Sequence, residues 1–206
     1  MSGADQSGRE PFTTLTAVAV PINQANVDTD QIIPARFLST PPDQMSPYLF
    51  QDARYRDDGS PRPEFVMNKP EYKDARIIVG GRNFACGSSR EAAVWVIKGN
   101  GYQSVIAPSF GDIFYNNCFQ NGVLPIALPE TRVNELLRFL LELPGASITV
   151  NLAEQTVQGP DGKSDSFIID PFRKECLLKG IDDIELTLTY ADAIADFEKR
   201  SVTAVV

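Results

Sequence analysis

The positions of apolar residues along the chain predict a layered α/β domain. Residues 14–22 (TLTAVAVPI) alternate in polarity and are rich in strand-forming side chains, which predicts a strand. From residue 76 onward, short apolar runs that predict strands alternate with helical patterns. The runs lie at residues 76–79, 104–107 and 123–128, and the helical patterns at residues 88–98 and 109–120. This order of strands and helices is typical of a sheet that is at least partly parallel.

Beyond residue 128 the pattern predicts a helix, a hairpin and a helical C-terminus. Residues 129–143 form an amphipathic helical pattern that begins at a proline and ends before the Pro-Gly pair at 144–145. Residues 147–152 and 155–158 predict a hairpin, and residues 167–169 predict a further strand. Two more helices are expected, over residues 170–178 and 190–199.

Three segments lack a regular pattern. Residues 23–34 are expected to form a loop after the first strand, and residues 1–11 a flexible polar tail. Residues 39–75 contain six prolines and only short apolar runs. Irregular stretches of this length are commonly lids over a functional site, or disordered. We therefore expect one domain over residues 12–206 that carries a proline-rich loop at about 39–75.

The composition excludes several functional classes. The formal charge of −8 is opposite to that of a nucleic-acid-binding surface, so no nucleic-acid partner is expected. The chain has no apolar run of the roughly 18 residues that a membrane helix needs. The first residues resemble no secretory signal, so we expect a cytoplasmic protein without a membrane partner.

Scarce residue types narrow the chemistry further. The chain has no histidine, which removes Ser-His-Asp and Cys-His catalysis and histidine-ligated zinc. The three cysteines, Cys86, Cys118 and Cys176, are far apart in the sequence, and no fourth cysteine completes an iron–sulfur or zinc site. We expect them to be reduced thiols, and we expect this chain to bind no metal by itself.

The segment richest in candidate chemistry is residues 80–93 (GGRNFACGSSREAA), between a predicted strand and a predicted helix. Ser88, Ser89, Arg90 and Glu91 are expected in the first helical turn, where free N–H groups favour an anion. Ser88 and Glu91 also have the spacing of a capping box, which would need no ligand. The second serine and the arginine exceed what a cap requires. They favour a carboxylate site in which the guanidinium binds as a fork.

Two other polar segments follow predicted strands. Residues 26–30 (NVDTD) hold two carboxylates that could bind a hard cation, although the other ligands of a calcium site are missing. The alternative is a turn capped by Asx side chains. Residues 109–117 (SFGDIFYNN) open a predicted helix, where Asn116 and Asn117 could orient a ligand. The alternative there is a capped helix with a buried aromatic face.

Taken together, three segments resemble one enzyme family. They are NVDTDQIIP at residues 26–34, NFACGSSREAA at 83–93 and IAPSFGDIFYNN at 106–117. Their order and spacing resemble those of small subunits of 3-isopropylmalate dehydratases, the isomerases of leucine biosynthesis in the aconitase superfamily. The similarity extends from about residue 12 to the C-terminal helix. It implies a layered swivelling β/β/α domain of the aconitase C-terminal type with a partly parallel sheet.

The resemblance also implies an activity and a partner. The family's enzymes are hydro-lyases that interconvert 2-isopropylmalate and 3-isopropylmalate, and they act only with a large subunit that holds a [4Fe–4S] cluster. For this chain the resemblance implies that Ser88 is the catalytic base and that Gly87, Ser89 and Arg90 bind the dicarboxylate substrate. The residues expected to support the loops around the site are Asp28, Thr29, Asp30, Asn83 and Asn117.

Departures from the family pattern leave the substrate open. Ala85 and Ala92 stand where glycine and histidine are common, and residues 37–50 lack the arginine of the family's recognition loop. Arg36 or a residue of 54–56 could replace that cation, whose loss would change specificity strongly. The alternative is therefore a paralogous subunit for a methylmalate or dimethylmalate. A non-catalytic anion-binding module and an RNA-binding regulator are less favoured, because the chain has no complete nucleotide-binding loop and is acidic.

Overall fold

The computed structural model describes residues 9–202, so most of the predicted N-terminal tail lies outside the described residues. Its centre is a seven-stranded sheet in the order β4-β3-β2-β1-β5-β6-β7. The strands are β1 (Thr14–Ile22), β2 (Ile77–Gly80), β3 (Ser104–Ala107), β4 (Leu124–Ala127), β5 (Ser147–Asn151), β6 (Thr156–Gln158) and β7 (Ser164–Ser166). The helices are α1 (Thr29–Ile32), α2 (Gln51–Arg54), α3 (Ala92–Gly99), α4 (Asp112–Gln120), α5 (Glu130–Glu142), α6 (Pro171–Lys179), α7 (Asp183–Leu188) and α8 (Ala191–Val202).

The sheet has a parallel half and an antiparallel half, which confirms the predicted partly parallel α/β architecture. β1, β2, β3 and β4 pair with one another in parallel. The other edge of β1 pairs with β5 in the antiparallel sense, and β6 and β7 continue that half. All four residues of β2 are buried, as expected for a parallel strand covered on both faces.

Each face of the sheet has its own apolar cluster. Val20 of β1 and Ile78 of β2 belong to the cluster that includes side chains of α3 and α4. Ala19 and Ile77, their immediate neighbours in the chain, belong to the cluster that includes side chains of α5. Because successive strand residues point to opposite faces, one short apolar strand supplies both layers.

The proline-rich segment packs against the first of these clusters. Its short helices are α2 and the 3₁₀ turns Pro42–Gln44, Ser46–Tyr48, Val66–Asn68 and Pro70–Tyr72. Met45 and Leu49 are each 1% exposed. The hydroxyl of Tyr72 donates to the carbonyl oxygen of Leu140 at 2.9 Å, which ties the segment to α5. A few apolar side chains of this segment thus belong to the core, although most of its residues are exposed or partly exposed.

Several predicted boundaries were wrong. α3 begins at Ala92 and α4 at Asp112, four and three residues later than the pattern indicated. Before α4, the main chain of Ser109 and Gly111 is bonded to Phe84 instead of continuing a helix. The strand expected at residues 167–169 is displaced to β7, whose side chains are polar because it is an edge strand. The sequence reading also missed α1 and α7, which have six or fewer residues each.

No helix among residues 9–202 is long and apolar enough to cross a membrane.

A buried ionic cluster joins α5 to the hairpin of β6 and β7. The guanidinium of Arg132 donates to both oxygens of Asp161 at 2.8 and 3.0 Å and to Asp165 at 2.6 Å. The side chains of Arg132 and Asp161 are each 7% exposed. These hydrogen bonds lower the pKa of Asp161. The cluster anchors a hairpin whose turn and last strand are mostly polar.

We expect Arg132→Met to lower the free energy of unfolding by about 3 kcal/mol at neutral pH, because Asp161 would lose the partner of its buried charge. The pKa of Asp161 is lower in the folded than in the unfolded chain, so its contribution is present above the unfolded pKa and is lost as pH falls through the folded pKa. The difference between variant and parent should therefore shrink below about pH 4. Urea denaturation at several pH values tests this.

The control is Arg138→Met, because Arg138 is an exposed residue of the same helix. It should change stability by less than about 0.5 kcal/mol. Equal losses in the two variants would contradict a special role for the buried cluster.

Candidate functional site

Three loops meet at the end of the sheet where β1, β2 and β3 terminate. They are residues 23–34 after β1, residues 81–91 after β2 and residues 108–111 after β3. Because these strands are parallel, their carboxyl ends lie side by side. Ligands of open α/β sheets commonly bind outside such ends. All three segments with candidate chemistry are therefore brought together.

The first two loops continue the pairing of β1 and β2. The N–H of Asn26 donates to the Arg82 carbonyl at 2.8 Å, and the N–H of Thr29 donates to the Cys86 carbonyl at 2.9 Å. In return the N–H of Cys86 donates to the Val27 carbonyl at 3.1 Å. The loop that carries the serines is thus held by main-chain hydrogen bonds as far as Cys86.

Asn83 joins all three loops. Its side-chain amide donates to Oδ1 of Asn26 at 2.9 Å, and its main-chain N–H donates to Oγ of Ser109 at 2.9 Å. Asn26 and Asn83 both have left-handed backbones, with φ of 56° and 58°. Asparagine tolerates this conformation better than most residues, so these side chains suit both the turns and the cross-links. Asn83, one of the residues expected to support the loops, thus contacts both of the other loops.

The predicted capping box of Ser88 and Glu91 does not form. Glu91 is the N-cap of α3 and has no capping hydrogen bond from its side chain. The capping box lies instead at α1, where Oδ1 of Asp28 accepts from the N–H of Gln31 at 2.8 Å and Oε1 of Gln31 accepts from the N–H of Asp28 at 3.0 Å. Ser88 therefore precedes the first residue of α3 by four positions and lies in a loop, outside the first helical turn.

The loop from Gly87 to Glu91 presents a run of free hydrogen-bond donors. None of its five main-chain N–H groups bonds to any residue that the structure describes. Ser88 and Ser89 are exposed, and within residues 9–202 their hydroxyls have no partner. The carbonyl of Ser88 is held by the hydroxyl of Thr29 at 2.9 Å, and Thr29 is only 2% exposed. Consecutive amides of this kind form an anion-binding surface.

Arg90 lies beside these donors, and its guanidinium already binds a carboxylate. Its two terminal nitrogens donate to the two oxygens of Asp30 at 2.5 and 3.0 Å. One of them also lies 3.4 Å from the carbonyl oxygen of Ile33. The Arg90 side chain is 15% exposed and that of Asp30 is 52% exposed. The Arg90 guanidinium is thus already oriented for bidentate binding of a carboxylate, and in this structure that carboxylate is Asp30.

Asn117 is connected to the loop of residues 87–91 only through another residue. It lies on α4, and its carbonyl oxygen accepts from the side-chain amide of Asn121 at 2.9 Å. That amide also donates to Oε1 of Glu91 at 2.9 Å. The structure therefore connects α4 to Glu91, at the end of the loop that carries Ser88 and Ser89, through Asn121, a residue that no sequence motif indicated.

The cations proposed to replace the missing arginine of residues 37–50 are bound elsewhere. Arg36 forms an ion pair with Asp52 and lies over the ring of Phe37, 4.6 Å from its centroid. Nε of Arg54 donates to Oδ1 of Asn68 at 3.0 Å, and Nη1 of Arg56 donates to the carbonyl oxygen of Pro61 at 3.3 Å. None of these contacts reaches the loop of residues 87–91.

Ala85 occupies a position that the sequence reading left unexplained. It is 3% exposed and has a φ of 56°, a left-handed conformation that glycine adopts freely. The glycine that is common at this position in the family indicates a left-handed backbone here. The alanine keeps the turn at a conformational cost on the order of 1 kcal/mol.

The donors of this chain do not fit an iron–sulfur cluster. In the described part of the chain, no group of three or more His, Cys, Asp or Glu residues is placed to hold a metal ion. Cys86 is partly exposed beside the site, whereas Cys118 and Cys176 are buried on α4 and α6. Burial raises the pKa of the Cys118 thiol, and burial with nearby Asp183 raises that of Cys176 to about 11. Such thiols are poor sources of thiolate ligands.

Comparisons with known proteins identify the family of this chain. The model of the Aconitase C-terminal domain family matches residues 9–131, and a model described as LeuD_N matches residues 134–171. The 3-isopropylmalate dehydratase small subunit of Paramagnetospirillum magneticum is 54% identical over 95% of this chain and 98% of its own length. That of Dinoroseobacter shibae is 50% identical with the same coverage.

A solved structure agrees as well. The crystal structure of 3-isopropylmalate dehydratase from Methanocaldococcus jannaschii is 26% identical, with a TM-score of 0.62, and the match covers 91% of this chain and 99% of that one. The expected aconitase-type fold is thereby confirmed. The chain belongs to the family of 3-isopropylmalate dehydratase small subunits, which is built on the aconitase C-terminal domain.

Proposed function

We propose that this chain is the small subunit of a 3-isopropylmalate dehydratase and contributes half of an active site that a large subunit completes. The observation that carries the proposal is the loop from Gly87 to Glu91, whose five main-chain N–H groups and two serine hydroxyls have no partner among the described residues and which also carries Arg90. The names of relatives about half identical over nearly the full length favour isopropylmalate over the methylated malates.

The reaction requires two operations at neighbouring carbons. A base takes a proton from the carbon next to a carboxylate, and the hydroxyl group leaves the adjacent carbon, which gives an unsaturated diacid. Water then adds back with the two positions exchanged. As the proton leaves, negative charge accumulates on the neighbouring carboxylate. Preorganised donors around that carboxylate stabilise the transition state.

Ser88 is proposed as the base and the surrounding donors as its support. Its hydroxyl is exposed and has no hydrogen-bond partner among residues 9–202, so it is free to face a substrate. A serine is a weak base unless its charged form is favoured, and the N–H groups of the loop and the Arg90 guanidinium act in that direction. Gly87 belongs to the same loop, with a φ of 88°.

The rest of the activation is proposed to come from the partner. This chain has no histidine, and no hydrogen bond among residues 9–202 joins a lysine to Ser88. The relatives are named as small subunits, which supports a large subunit as the partner. We assign the family's [4Fe–4S] cluster and the departure of the hydroxyl group to that subunit. The proposed enzyme acts in the cytoplasm on a small dicarboxylate, without nucleic acid or membrane.

Arg90 and Ser89 are proposed to bind the substrate carboxylate, and Asp30 to hold the guanidinium in place before the substrate arrives. Thr29 is proposed as a positioning residue, because its hydroxyl fixes the main chain of Ser88. Asp28, Asn83 and Asn117 are proposed to support the loops.

Ser88→Ala should lower kcat about 10³-fold in the complex reconstituted anaerobically with the large subunit, with KM changed by less than about threefold. The measurement is the absorbance of the unsaturated intermediate formed from 3-isopropylmalate. The control is Ser164→Ala, an exposed serine on β7, which should leave turnover unchanged. A Ser88→Ala complex that assembles and keeps more than about a tenth of kcat would refute the assignment of the base.

Arg90→Lys should raise KM by about 10- to 100-fold and lower kcat less, because an ammonium cannot reproduce the two parallel hydrogen bonds of the guanidinium. The same assay measures both constants. Arg138→Lys, on the exposed face of α5, is the matched control. An unchanged KM for Arg90→Lys would exclude Arg90 from substrate binding.

Thr29→Val should lower kcat about tenfold with little change in KM, because it removes the hydroxyl that fixes Ser88 while keeping the side-chain volume. Thr29→Ser retains the hydroxyl and should restore most of kcat. If Thr29→Val and Thr29→Ser lowered thermal stability and kcat alike, the role of Thr29 would be purely structural.

A further inference from the structure

A second polar cavity lies at the opposite end of the sheet. Its volume is about 550 Å³, and its lining includes Arg76, Gln103 and Gly122, which lie at or just before the beginnings of β2, β3 and β4. The candidate functional site lies at the carboxyl ends of the same strands. The four residues of β2 separate the two ends by roughly 13 Å. We call it the amino-end cavity.

Four cationic side chains surround the amino-end cavity. They are Arg9, Lys73, Arg76 and Lys98, and they come from three separate segments of the chain. Two carboxylates, Glu10 and Asp74, also line it. Throughout the described ranges, none of the four cations forms an ion pair or a side-chain hydrogen bond. This is notable in a chain where 27 acidic residues outnumber 19 basic ones.

The cations also act on one another. The pKa of Lys98 is lowered, first by partial burial and then by the charge of Arg9. The four cations outnumber the two carboxylates of the lining, so the opening keeps a net positive charge, and a bound anion would offset the repulsion among the cations. The arrangement is thus costly when empty and favourable when an anion is present.

We propose that the amino-end cavity binds a small multivalent anion of the phosphate class. Its volume is within the range of ligand pockets, roughly 300–1,000 Å³. Lysine binds phosphate as a point charge and arginine through two parallel N–H groups, and both residue types line this cavity. Four cations and two carboxylates leave a net charge of +2, which one phosphate group balances more fully than one carboxylate does. An adjoining cavity of about 370 Å³ shares Lys73 and Tyr102 and gives room for the rest of such a molecule.

Isothermal titration of the full-length chain with pyrophosphate at about 0.1 M salt tests the site. We expect saturable binding to the parent chain and a Kd at least tenfold higher in the Arg76→Gln/Lys98→Gln double variant. Arg138→Gln removes one cation of α5 outside the cavity and should bind as the parent does. The single variant Lys98→Gln, an exposed position, should raise Kd about threefold or more and serves as a second test if the double variant is unstable.

Three results would overturn the proposal. One is no saturable binding of pyrophosphate by the parent chain up to about 10 mM. Another is the same Kd in the parent and in the folded cavity variants. The third is binding of the tricarboxylate tricarballylate as tight as that of pyrophosphate, which would remove the phosphate class. None of these results depends on dehydratase activity, so the proposed function is tested separately.

Discussion

The parallel pairing of β1, β2 and β3 is the constraint on which the site depends. It aligns the carboxyl ends of the three strands, so that loops distant in the sequence become neighbours. The pairing continues into the loops through bridges between Asp28 and Cys86 and between Phe84 and Phe110. It ends at Cys86, and α3 begins only at Ala92. The amides between these points belong neither to the sheet nor to the helix, and they are therefore free for a ligand.

The turns that produce this arrangement store some conformational strain. Asn26, Asn83 and Ala85 all have positive φ without being glycine. Such positions cost on the order of 1 kcal/mol each and persist only where the surroundings impose them. Here the surroundings are the cross-links of Asn83 to its neighbouring loops and the burial of Ala85. The loop around Ser88 is consequently fixed by its neighbours, which a site that must orient a substrate requires.

The sequence predicted the elements that rest on long periodic patterns. β1 and α5 lie within one residue of their expected bounds, because burial of one face sets their periodicity. The capping box of Ser88 and Glu91 failed because its signal is local, whereas the hydroxyl of Thr29, 59 residues earlier, binds Ser88 in the fold. The motifs predicted which residue types form the candidate site. They did not predict the ion pair of Arg90 with Asp30, because that pair depends on the parallel register of β1 and β2.

In the proposed site a substrate carboxylate would replace Asp30 at the Arg90 guanidinium. Arg90 is mostly buried and also touches the Ile33 carbonyl, so its position is fixed. Asp30 is half exposed and keeps a hydrogen bond from the N–H of Ala35 at 3.2 Å, so it can yield the guanidinium without being left unpaired. Replacing Asp30 by a substrate carboxylate therefore changes little in the charge balance at the guanidinium. The amides from Gly87 to Glu91 have no such partner within residues 9–202, so in the proposed site the gain in free energy on binding a substrate would come from them.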